Sequence, residues 1–129
     1  MADPQPTLIQ GYPAGPIQWL FTKDLTNTDI THGLQLVGNS KPYLDGLGDD
    51  MITSMTDGLD IDLFTPGRVD RVTVKRRVMH GNLSVYRLKK RGWNDCVDSH
   101  NFVRYQSVCC WAIFTMEGGL CLLLESVDT

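Results

Sequence analysis

The chain predicts a mainly β domain, a small barrel or sandwich of about seven short strands with one or two short helices. Three observations carry this. Apolar and polar residues alternate over residues 59–64 and 69–78, the period of a half-buried strand. Two near-continuous apolar runs, SVCCWAIF at 107–114 and LCLLLE at 120–125, read as buried central strands. Turn signals such as TPGR, HGN and TMEGG separate these segments, and no repeat or low-complexity tract interrupts them. With 129 residues the chain has room for one domain and not for two ordinary ones.

Taken in order, residues 1–16 are rich in Pro and Gly and read as a flexible tail. They lack the basic start and apolar run of a signal peptide, and the longest apolar run, near 108–114, is far short of the roughly 20 residues of a membrane-spanning helix. A soluble, intracellular protein is expected. The domain proper is assigned to residues 17–126, with 127–129 as a C-terminal tail. IQWLFT at 17–22 is a first strand. KDLTNTDITHG at 23–33 reads as a loop, because Thr, Asn and Asp favour side chain to backbone hydrogen bonds. Residues 34–37 form a short strand, and the weakly periodic stretch from Ser40 to Met55 has room for one brief helix or turn. LDIDLF and VDRVTVKRRV make a hairpin through TPGR, with Val72 and Val74 on one face and Arg71, Thr73 and Lys75 on the other. Residues 76–88 make a second hairpin whose tip carries His80, Asn82 and Ser84. WNDCVDSH spaces Trp93, Cys96 and Val97 as on one helix, and Gly118 and Gly119 allow a tight turn between the last two strands.

Charge is distributed unevenly. From Arg68 to Trp93 nine basic side chains meet one acid, Asp70, whereas Asp45, Asp49, Asp50, Asp57, Asp60 and Asp62 occupy a stretch without Lys or Arg. The formal net charge of -3 therefore hides two opposed poles. The basic stretch is a candidate phosphate-binding arm. Its plainer reading is a wet strand face, where Lys and Arg discourage edge-to-edge aggregation.

Other chemistry finds little support. Cys96, Cys109, Cys110 and Cys121 sit among apolar neighbours without a CxxC pair or nearby histidines, so they read as core thiols rather than zinc ligands. His32, His80 and His100 are far apart in sequence, and surface positions are expected for His32 and His100. Trp19, Trp93 and Trp111 lie in apolar contexts and are expected to pack rather than stack on a ligand. The chain has no P-loop, GxSxG or HExxH, so neither catalysis nor a cofactor is expected.

The order of motifs in SVYRLKKRGWNDCVDSHNFVRYQSVCCWAIFTMEGGLCLLLE resembles the C-terminal half of the plant-specific B3 DNA-binding domain. FTKDLTNTDI resembles that family's opening segment, with Lys23, Leu25, Thr26, Thr28 and Asp29 at matching places. The resemblance implies a seven-stranded open pseudobarrel that grips the DNA major groove between two arms, here residues 23–35 and 75–91. It implies double-stranded DNA as partner, transcriptional regulation and a nuclear location. Arg76, Arg77, Lys89, Lys90 and Arg91 would meet the phosphate backbone, Asn27, Thr28, His80, Asn82 and Ser84 would lie near the bases, and Lys23, Gln35 and Lys75 would complete the DNA-binding arms.

This chain departs from the family pattern in places. Gln35 stands for an arginine and Asn39 for a proline after the first arm, Tyr105 and Gln106 replace a Gly-Asp turn, and the MHGNLS tip is short. A second reading is therefore a B3-like protein-interaction module that has lost DNA reading and engages a partner through the acidic stretch.

Overall fold

A computed structural model describes residues 3–127, so Met1, Ala2 and the last two residues of the expected C-terminal tail lie outside the described residues. The elements run β1 (Ile17–Asp24), α1 (Asn27–His32), β2 (Gln35–Leu36), α2 (Ser40–Asp45), α3 (Asp49–Asp57), β3 (Leu59–Thr65) and β4 (Arg68–Val78). A 3-10 turn at His80–Asn82 leads to β5 (Ser84–Leu88), α4 (Lys90–His100), β6 (Ser107–Phe114) and β7 (Leu120–Ser126). All seven strands form one sheet in the order β1-β6-β7-β3-β4-β5-β2. Every pairing is antiparallel except β3 with β7. The two edges come back together, since the amide of Asn39 donates to the carbonyl of Leu20 at 2.8 Å. The result is the nearly closed, seven-stranded pseudobarrel expected of a B3-like chain.

The apolar runs of β6 and β7 explain themselves once both faces are followed. Val108, Cys110, Ala112, Leu122 and Leu124 point into the barrel, while Cys109, Trp111, Ile113, Cys121 and Leu123 form a second cluster outside it. An outer apolar face needs a cover. The N-terminal segment supplies one: Ile9 is buried and Tyr12 packs beside it. Its backbone is held by the buried carboxylate of Glu125, which accepts from the amides of Thr7 and Leu8, at 2.9 Å for the shorter Thr7 contact and 3.2 Å for Leu8. The indole of Trp111 donates to the carbonyl of Pro4 at 2.9 Å. Residues 3–16, read from the sequence as a flexible tail, have no helix or strand and yet dock on the sheet.

Three further expectations are corrected. The segment at 23–33 is not a loop throughout: Thr26 caps α1, accepting from the amide of Asp29 while the Asp29 carboxylate accepts from the amide of Thr26. The Thr, Asn and Asp residues that suggested a loop are those that start a helix. The stretch at 40–57 holds both α2 and α3, so the described residues form four short helices rather than one or two. His100 is half-buried, 2.8 Å from the Thr65 hydroxyl and stacked on Phe102, whereas His32 is exposed as expected. Trp93 and Trp111 are buried and Trp19 packs against the outer cluster. Tyr105 takes the left-handed conformation, φ 73, that glycine adopts without strain, and Gln106 supplies a side-chain acceptor for the amide of Val103 at 3.3 Å. The replaced Gly-Asp turn therefore keeps both a left-handed residue and an acceptor.

Candidate nucleic-acid interface

The alternation that buries Val72, Val74, Tyr86 and Leu88 turns the odd-numbered residues of β4 and β5 outward. Register then sets a row across three strands, with Gln35 of β2 opposite Arg87 of β5 and Arg87 opposite Lys75 of β4. One step along, Val85 lies opposite Arg77. Two close approaches frame this face. A Cβ on Gly33, at the end of α1, would stand 2.3 Å from the carbonyl oxygen of Leu88, and one on Gly92 would stand 2.1 Å from that of Arg71. Glycine at these two places lets α1 and α4 close on the hairpin strands, and both take positive φ. His32 at the end of α1 and Lys89 and Lys90 at the start of α4 complete the walls of a concavity of about 520 Å³.

Its electrostatics are one-sided. Lys75, Arg77, Arg87, Lys89 and Lys90 line it without a carboxylate, and among the described residues none of them forms an ion pair. Two have carbonyl partners: the Arg87 guanidinium donates to Gly33 at 2.6 Å and the Lys75 ammonium to Thr56 at 2.5 Å. Lys89, Lys90 and Arg91 precede the regular helix that starts near Trp93, because Arg91 and Gly92 have non-helical backbone angles. Cations there sit at the wrong end of the helix dipole, so helix stability does not explain them.

Five of the residues expected to contact DNA, Gln35, Lys75, Arg77, Lys89 and Lys90, thus meet on one surface. The remainder separate. Lys23 lies at the seam where β1 meets β2, with its side chain 14% exposed, an ion pair to Asp29 at 2.9 Å and a hydrogen bond to the carbonyl of Gln35 at 3.2 Å. It is a rivet of the barrel rather than a free cation. Arg76 points to the opposite face from Arg77, with a guanidinium nitrogen 3.4 Å from the Thr56 hydroxyl and a buried Nε without a hydrogen-bond partner. Ser84 is not at the tip: it is the first residue of β5 and its side chain turns inward. Asn27 and Thr28 are exposed in the first turn of α1, Arg91 is exposed beside the concavity, and His80 is exposed at the hairpin tip. Asn82 belongs to the tip turn, and its side chain lies outside the described residues.

His32 and Arg87 line the surface without having been singled out. Arg87 was legible, since it shares strand parity with Val85 and falls in the basic stretch. His32 was not, because its place depends on α1. Among the described residues no group of His, Cys, Asp and Glu is arranged to hold a metal ion. The four thiols are buried and reduced, and burial pushes Cys96 up to about 12 and Cys121 to about 11.

No family model and no curated protein sequence matches the chain. Among solved structures it is similar to the Arabidopsis FUS3-DNA complex, with a TM-score of 0.58 at 15% identity, over 87% of this chain and 99% of that one. At that identity the likeness speaks for the fold, a B3-like pseudobarrel.

Proposed function

We propose that the chain binds double-stranded DNA through the concavity between α1 and the β4–β5 hairpin and acts as a sequence-preferring regulator of transcription in the nucleus. The observation that carries the reading is the gathering of five cations, free of acid partners among the described residues, on one curved face. A curved, cation-lined wall suits the phosphate backbone, whose contacts set register and orientation and release counterions. Gln35 stands in the same row as Arg87 and Lys75, and its amide offers the paired donor and acceptor that match an adenine edge in the major groove. Asn27, Thr28, His80 and Arg91 flank the surface and would contact the neighbouring turn of DNA. The solved structure similar in fold holds DNA, which lends the reading support from outside the chain. The role is binding alone, without catalysis or a cofactor.

A protein-interaction reading has one observation of its own. Asp49, Asp50 and Asp57 of α3 are exposed and, among the described residues, outside any ion pair. Fluorescence anisotropy against a randomised duplex pool at low and near-physiological salt, followed by sequencing of the retained DNA, separates the two. Duplex binding through the five cations of the concavity gives a slope of log affinity on log salt of about -4.5, together with an enriched motif. No binding at low salt overturns the proposal and directs attention to partners of the acidic helix.

A further inference from the structure

The free end of the β4–β5 hairpin exposes three apolar side chains close together. Val78, Met79 and Leu83 are 56%, 49% and 65% exposed, although Val72, Val74, Tyr86 and Leu88 on the same two strands are fully buried. The neck holds the three together. Val78 pairs with Ser84, and the amide of Met79 donates to the carbonyl of Leu83 at 2.6 Å. Scattered exposed apolar residues need no explanation, but three at one tip do, Val78 and Met79 before the His80–Asn82 turn and Leu83 directly after it. Exposed strand edges are commonly protected from aggregation by charge, whereas this tip sets exposed apolar side chains beside Arg77 and His80.

The tip is continuous with the cation-lined face. Met79 belongs both to the concavity and to a shallow cleft of about 400 Å³ that it shares with Arg77, Val78 and His80. A duplex held by the cations therefore brings its groove to the apolar end. The major groove is about 12 Å wide, which admits a two-stranded ribbon, and the C5-methyl of thymine is its one apolar group on a base edge.

We infer that the Val78–Met79–Leu83 tip reads thymine methyl groups in the major groove, adding sequence preference to the phosphate contacts below it. The inference rests on the duplex-binding reading of the concavity. Amides such as Gln35 recognise hydrogen-bonding edges, and the tip recognises the feature those amides cannot register.

Deoxyuridine lacks only that methyl, so it isolates the contact. The test measures anisotropy of the full chain with its enriched duplex and with copies in which single thymidines are replaced by deoxyuridine. Affinity is expected to fall roughly fourfold at each thymine under the tip, from the free energy of burying one methyl-sized group. In the double variant Met79→Ser, Leu83→Ser the two kinds of duplex should bind alike while the salt slope stays unchanged. Equal binding of thymidine and deoxyuridine duplexes by the unmodified chain overturns the inference and leaves the duplex-binding reading standing. Absence of duplex binding at low salt overturns both. Binding to vesicles of mixed phosphatidylserine and phosphatidylcholine that the double variant loses, with duplex discrimination intact, would assign the tip to a lipid surface and overturn it too.

Discussion

The seam between β1 and β2 and the concave face of β2, β5 and β4 both carry lysines that look alike in the linear sequence, and their surroundings are opposite. At the seam, Lys23 meets Asp29, whose side chain is 3% exposed. That carboxylate also accepts from the amides of Thr26 and Gln35, at 2.9 and 3.1 Å, and the Asp29 carbonyl accepts from the Trp93 indole at 2.7 Å. One residue thereby ties β1, α1, β2 and α4. On the concave face, Lys89 and Lys90 are exposed and have no acid partner among the described residues. A cation enclosed with its counter-ion positions the fold, whereas a set of cations left without one awaits an anion from outside.

The comparison predicts opposite consequences for mutation. Asp29→Ala strips Lys23 of its partner, uncaps α1 and leaves the Gln35 amide without an acceptor. The expected loss is about 3 to 5 kcal/mol of folding stability, the range for breaking a buried pair from one side. Urea unfolding followed by tryptophan fluorescence reads it directly. A loss below about 1 kcal/mol, the range of an exposed ion pair, would dissolve the distinction between the two regions.

The strands were legible because each parity class had a single environment to choose. Alternation over β3 and β4 and the doubled apolar runs of β6 and β7 state their burial outright. Applied further along, the same alternation places Arg76 with Val72 and Val74, and Ser84 with Tyr86 and Leu88, away from Arg77. Both positions follow from strand parity, and neither follows from charge or from proximity to a turn. Apolar residues on both parities of β6 and β7 also implied a cover for the outer face, which the N-terminal segment supplies. The pairing of Lys23 with Asp29 was hidden for a different reason. It depends on α1 forming, and the Thr, Asn and Asp residues of its first turn serve loops and helix caps equally well. His32 enters the surface through the same helix and was hidden with it.

Lys89→Ala with Lys90→Ala probes the other side of the comparison. Removing two phosphate contacts should reduce the magnitude of the salt slope by about 1.8. Folding stability should shift by no more than about 0.5 kcal/mol, as for surface substitutions elsewhere, because neither side chain has an ion pair to lose. Anisotropy across a salt series and urea unfolding of the same variant supply both readings. An unchanged slope would remove these lysines from the duplex interface, and a large loss of stability would make them structural like Lys23.

Acid separates the regions more finely, because the seam carries a carboxylate whose titration is linked to folding. Burial alone would raise the Asp29 carboxyl, but the Thr26 amide, the Lys23 ammonium and the Gln35 amide outweigh it and hold the group below its ordinary 3.8. The unfolded chain then binds more protons near and below that value, so Asp29 contributes stability that is present above 3.8 and lost as pH falls through its depressed folded value. Asp45 follows the same sign: burial raises it, and hydrogen bonds from Lys41 and Tyr86 bring it below 3.8. His100 adds an earlier step, since burial and then Arg68 lower it beneath 6.5, giving a contribution present above 6.5 and lost on acidification. Stability measured by urea unfolding from pH 7.5 to 3 should therefore decline in two stages, the first removed by His100→Gln and the second reduced by Asp29→Asn. In the Lys89→Ala, Lys90→Ala variant both stages should remain. If Asp29→Asn left the second stage at full size, the acid loss would belong to other carboxylates and the seam would be no more dependent on ionisation than the open face.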